Sequence, residues 1–116
     1  MRQVASLPPV TVLTITYRQP ERIRMTVGDV LRQEYPSDRL ELVVLDHGSG
    51  DDTPSIVRSL ARRAPFPVKL LEAEHVADYE SARLWNACLA AAADETRVFV
   101  QIDDVRLEPD LVRQHV

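Results

Sequence analysis

Asp46 and His47 open the loop Asp46-His47-Gly48-Ser49-Gly50-Asp51-Asp52-Thr53, which follows directly on the apolar run Leu40-Glu41-Leu42-Val43-Val44-Leu45. The run reads as a buried strand. In open α/β sheets, ligands bind just beyond the carboxyl ends of the strands, so a carboxylate there is a candidate ligand contact. Thr16-Tyr17 and Asp103-Asp104 end two further strand-like runs with polar groups of the same kind. The chemistry such groups support is binding, through hydrogen-bond acceptance and an aromatic surface. His47 and His75 carry no metal-site spacing by themselves, because a lone histidine near carboxylates is not a metal site.

These groups need strands and helices to bring them together, and the chain alternates between the two. Val10-Thr11-Val12-Leu13-Thr14-Ile15-Thr16-Tyr17 is dense in β-branched residues and predicts a first strand. Pro20-Glu21 opens a helix to about Glu34, with Ile23, Val27, Val30 and Leu31 on one face. Gly28 inside it is expected to allow close helix–sheet packing. Tyr35-Pro36-Ser37-Asp38 is a turn before the Leu40–Leu45 strand. Thr53-Pro54 predicts an N-cap followed by proline in the first helical position, with Ile56, Val57, Leu60, Ala61 and Ala64 as the buried stripe. Val68–Leu71 is a short third strand. A polar link through His75 to Asp78 leads to a third helix, Tyr79 to Ala93, with Ala82, Trp85, Leu89 and Ala92 facing inward. Arg97–Ile102 is a fourth strand, and a last helix starts at Glu108-Pro109-Asp110. This βαβαβαβ order predicts an α/β fold, a Rossmann-like parallel sheet with helices on both faces. With strand order 3-2-1-4, Tyr17, Asp46 and Asp104 converge at one rim.

Composition sets outer limits. The chain has 116 residues, 45% apolar and 28% charged, enough for one small domain. Residues 1–9, with Pro8-Pro9, read as an extended leader, and residues 10–116 as the domain, expected to be truncated at its C-terminal end. A net charge of −4 carries no nucleic-acid phosphate footprint. Cys88, the one cysteine, can form no internal disulfide and excludes a multi-cysteine zinc site. It reads as a small buried hydrophobe. No run approaches the ~18 apolar residues of a membrane span. With no long apolar N-terminal stretch either, a cytoplasmic location is the expectation.

Four motifs, in order, resemble the nucleotide-sugar-binding half of the family 2 glycosyltransferases of the GT-A fold. Leu13-Thr14-Ile15-Thr16-Tyr17-Arg18 is similar to the family's hydrophobics followed by Pro-Thr-Tyr-Asn. Val44-Leu45-Asp46-His47-Gly48-Ser49-Gly50-Asp51-Asp52-Thr53 resembles Val-Asp-Asp-Gly-Ser-x-Asp-x-Thr. Trp85-Asn86-Ala87-Cys88-Leu89 resembles Arg-Asn-x-Gly-Leu, and Gln101–Asp110 resembles the Asp-x-Asp segment with its following proline. The resemblance implies transfer of a sugar from a nucleoside diphosphate sugar to an acceptor hydroxyl, with inversion.

The resemblance also assigns roles. Thr16, Tyr17, Asp46, His47, Arg83 and Asp103 would bind the nucleotide sugar: Tyr17 as part of a shelf for the base, Asp46 as acceptor from base or ribose, Asp103 at the ribose. A carboxylate lies near a diphosphate only if a divalent cation intervenes, and Asp104 is the expected ligand of that Mg²⁺ or Mn²⁺. The chain departs from the pattern in places. Ile102 replaces the first acid of Asp-x-Asp, His47 an acidic or amide residue that reads the base, and Trp85 an arginine, with Arg83 standing nearby. No residue is assigned as general base, so the 116 residues alone are expected to be inactive. The resemblance implies further strands beyond the fourth, and the edge and apolar face left uncovered without them are expected to make the chain dimerise or aggregate. Ser49, Asp51 and Asp52 read as turn and cap residues, and Trp85 as core.

Two other classes stay open. One is a nucleotide-binding or interaction domain of the same fold without chemistry. The other is a phosphoacceptor receiver-type domain, which lacks its acidic pair after strand one, where Thr16-Tyr17-Arg18 stands, and has its lysine, Lys69, inside strand three.

Overall fold

Eight residues in a row, Leu40–His47, are buried, and a strand buried along its whole length must lie inside a sheet covered on both faces. The computed structural model describes residues 7–75, 81–102 and 106–116 and bears this out. The elements run β1 (Val10–Thr16), α1 (Pro20–Leu31), β2 (Leu40–His47), α2 (Thr53–Ala61), β3 (Val68–Ala73), α3 (Ser81–Ala91), β4 (Val98–Gln101) and α4 (Leu111–His115), with a 3₁₀ turn at Ser37–Arg39. The 4-stranded sheet has order β3-β2-β1-β4 and every pairing is parallel.

Successive residues of each strand alternate between the two faces. Val10, Val12, Leu40, Leu42, Val44 and Val100 meet Ile23, Val27, Val30 and Val57 of α1 and α2, together with Val112 of α4. Leu13, Val43 and Leu45 meet Leu84 and Cys88 of α3 on the other side. Proline stands in the first turn of both α1 and α2, where its missing N–H has no helical partner to lose.

Several boundaries differ from the sequence expectation. β2 and β3 run on to His47 and Ala73 because they pair with each other there, Asp46 with Glu72 and His47 with Ala73. α1 stops at Leu31, short of Glu34, because the groups that would extend it bond elsewhere. Glu34 N–H donates to the Pro109 carbonyl at 2.6 Å. The Gln33 amide donates to the Glu108 carbonyl at 2.7 Å and accepts from Val112 N–H at 2.9 Å. Gly28 does not face the sheet: a Cβ there would meet the Arg32 guanidinium at 3.3 Å. In α3 the buried residues are Leu84 and Cys88, while Ala82 and Leu89 are exposed and Trp85 is half-buried beside the core. An alanine-rich helix has little periodic contrast to fix its phase. Its far end is held by polar groups of the sheet. Lys69 donates to the Ala91 carbonyl and pairs with buried Glu41, each at 2.8 Å, and Glu41 accepts Ala93 N–H at 3.0 Å.

Candidate functional site

The carboxyl ends of β1 and β2 lie side by side, with Thr16 in register with Asp46. Both are buried. Asp46 is 2% exposed and its carboxylate is bonded within its own loop, accepting the Ser49 backbone N–H at 3.1 Å and the Ser49 hydroxyl at 2.5 Å. An ionised carboxylate offers about four lone-pair sites, so acceptor capacity remains. The Ser49 hydroxyl in turn accepts Arg18 N–H at 2.8 Å, and the Arg18 Nε donates to the Ser49 carbonyl at 3.1 Å. The loops after β1 and β2 are thus tied through one serine. The ties need unusual backbone: Arg18 stands at φ 49° and Gly48 at φ 66°, in the left-handed region that glycine adopts readily and other residues rarely.

The pleat sends Asp46 toward the α2 side and His47 toward the α3 side. His47 is 2% exposed. Burial pushes its imidazole below the ordinary histidine range; neighbouring His75 and the charge of Arg83 act in the same direction, and Asp46 opposes them. Tyr17 lies on this side too. Its ring stacks on His75, with centroids 4.2 Å apart and planes 14° from parallel. His47 stands 4.7 Å from His75 and 6.1 Å from Tyr17, and the Arg18 guanidinium lies 5.4 Å from the Tyr17 centroid. A groove of about 500 Å³ opens beside Asp46 on the α2 side, between Gly48, Gly50 and the Arg58–Glu72 ion pair.

The rim therefore brings together Thr16, Tyr17, Asp46 and His47, with exposed Arg83 of α3 near enough to act on His47. Asp103 and Asp104 lie outside the described residues. Among the described residues no group of three or more His, Cys, Asp or Glu side chains could hold a metal. Asp51 is used locally, its Oδ1 accepting Thr53 N–H at 2.9 Å at the start of α2. Sequence reasoning missed His75. Its signal was position alone, two residues beyond the end of a parallel strand.

The model of the family "Glycosyl transferase family 2" matches residues 11–116. The chain belongs to glycosyl transferase family 2. Glycosyltransferase AglE of Haloferax volcanii is 32% identical over 75 residues, 65% of this chain and 25% of that protein. The uncharacterized glycosyltransferase alr2836 of Nostoc sp. is 29% identical over 96 residues, 83% of this chain and 28% of that protein. Among solved structures, mannosyltransferase PcManGT from Pyrobaculum calidifontis, in complex with GDP-Man and Mn²⁺, aligns with TM-score 0.68 and 33% identity over 78% of this chain and 26% of its own. S. aureus TarS 1-349 aligns with TM-score 0.75 and 24% identity over 91% of this chain and 30% of its own, a likeness of fold. The family 2 chain thus spans 25% and 28% of the lengths of the two curated relatives. It has the GT-A sheet of its structural neighbours. Among the described residues no helix is long and apolar enough to cross a membrane.

Proposed function

We propose that residues 10–116 are the donor-binding half of an enzyme that transfers a sugar from a nucleoside diphosphate sugar to an acceptor hydroxyl, with inversion. The observation that carries this reading is the meeting of Tyr17, Asp46 and His47 at the carboxyl rim of β1 and β2 in a GT-A sheet. That is the edge where open α/β sheets bind ligands. The GDP-Man and Mn²⁺ held by a relative 33% identical support the ligand class.

In this reading Asp46, oriented by Ser49, accepts a hydrogen bond from the base or ribose. Burial keeps His47 neutral at physiological pH, so it meets the base as a hydrogen-bonding group and not as a cation. Thr16 lines the rim, and Arg83 supplies positive charge for the donor's phosphates. Asp103 meets the ribose and Asp104 holds a divalent ion. That ion, when bound, offsets the charge of the leaving diphosphate. No side chain is assigned as general base. A leader over residues 1–9, a cytoplasmic location and a homodimer belong to the same proposal.

Calorimetric titration with UDP, GDP and dTDP, with and without Mn²⁺, tests it. At least one nucleotide should bind, and more tightly with the metal. Asp104→Ala should remove the metal-dependent part. Asp51→Ala should leave it, because that carboxylate serves Thr53. Equal losses in both variants, or no binding at all, would reject the reading. Binding by the whole protein without sugar transfer to any acceptor would instead favour a domain that has kept the fold and lost the chemistry.

A further inference from the structure

Tyr17 cannot offer both faces of its ring to a base, because the imidazole of His75 already lies flat against one of them. His75 itself is an exposed residue. Its backbone is packed against Gly48, where a Cβ would come within 2.5 Å of the His75 nitrogen and 3.1 Å of its Cα. One side of its ring is covered by Tyr17, and His47 stands 4.7 Å away. Among the described residues, Tyr17 and His47 are the rings recorded against the imidazole, and the residue as a whole is exposed.

We propose that His75 is the stacking surface for the donor's base, and that the base extends the Tyr17–His75 stack by one more ring. The inference rests on the donor-binding reading above and assigns its base contact. Three features make His75 suited to this. A flat aromatic ring held parallel to a second ring is pre-oriented, so little freedom is lost when the base arrives. Gly48 lets the loop after β2 come close to the backbone that carries it, where any Cβ would collide with His75. His47 ends β2 beside it, on the same face of the sheet, with its ring 4.7 Å from the imidazole. Base–aromatic stacking is tolerant of base identity, because every base has a π-face. His75 would therefore set affinity, and the edge contacts would choose between bases.

The test uses the intact protein with Mn²⁺ and three probes: UDP, GDP and inorganic pyrophosphate. His75→Ala should weaken UDP and GDP by about tenfold or more, as loss of one stacked base predicts. His75→Phe should restore affinity to within about threefold of the parent, since the ring and not the imidazole nitrogens does the stacking. Pyrophosphate, which has no base, should bind all three proteins alike and shows that the variants stay folded. In NMR spectra recorded with diamagnetic Mg²⁺ in place of Mn²⁺, UDP should shift the His75 ring protons upfield, a readout that a purely structural role would not move. Unchanged nucleotide affinity in His75→Ala, failure of His75→Phe to rescue, or equal weakening of pyrophosphate would each overturn the assignment while leaving the donor-binding reading in place. Failure of the parent protein to bind either nucleotide would overturn both.

Discussion

A methyl group added at Gly48 would meet the His75 backbone at 2.5 Å, whereas one added at Gly50 would meet nothing within 4 Å. Both glycines have positive φ, 66° and 69°. The pair therefore separates two effects. Gly50→Ala should cost only the left-handed backbone penalty, about 1 kcal/mol. Gly48→Ala carries the same penalty plus a backbone clash and should cost about 2–4 kcal/mol. Urea denaturation of the two variants measures the difference. His47 sets a pH dependence at the same scale. Its folded imidazole resists protonation because it is buried, while the unfolded one titrates near the ordinary histidine value of 6.5. The unfolded state thus binds more protons below that value, and the stabilisation, complete above it, falls away as pH drops toward the folded pKa. The slope from this residue cannot exceed about 1.4 kcal/mol per pH unit. Denaturation midpoints between pH 5 and 8 should fall with acid in the parent and flatten in His47→Asn.

At the scale of elements, α1 does more than cover the sheet. Asp29, 2% exposed, accepts the Nε and Nη2 of Arg106 at 2.8 and 3.0 Å and the Leu107 N–H at 3.0 Å, and it also pairs with Arg32. Together with Gln33 it anchors residues 106–112 to the helix. The Arg106 hydrogen bonds, aided by Leu107 N–H and Arg32, outweigh burial and lower the Asp29 pKa to about 2 from 3.8. The folded pKa is depressed, so the stabilisation is present above pH 3.8 and is lost as pH falls toward 2. Its size is about 2 kcal/mol. Asp29→Asn should lose a similar amount at neutral pH and should remove this limb of the acid unfolding curve, followed by circular dichroism.

Across the whole molecule, β4 pairs only with β1 among the described residues, and Phe99 on it is 45% exposed. In register Phe99 lies opposite Thr11, on the face covered by α3, where Leu89 is also exposed. An open strand edge beside exposed apolar side chains favours association. Light scattering of the 116-residue chain should give a mass above the 13.1 kDa monomer, and Phe99→Glu should return it toward the monomer. A parent that stays monomeric at high concentration would remove the homodimer from the proposal.

Much of this architecture was legible in the sequence. The apolar run before Asp46, the prolines that open α1 and α2, and the regular exchange of strand and helix patterns are local signals. They determined the element order, the parallel sheet and the rim at which Tyr17 and Asp46 meet, because burial on one face imposes a period on neighbouring residues. The phase of α3 was not legible, since Ala82, Ala87, Ala90 and Ala91 fit either side of a helix. Nor were the contacts that join distant segments. Arg106 reaches Asp29 across 77 residues, and His75 reaches Tyr17 only because β3, β2 and β1 are neighbours in the sheet. Such pairings depend on strand order, register and the sub-ångström space left by a glycine. Periodicity does not encode them, so only the tertiary structure decided that Asp29 anchors the segment after β4 and that His75 covers the tyrosine.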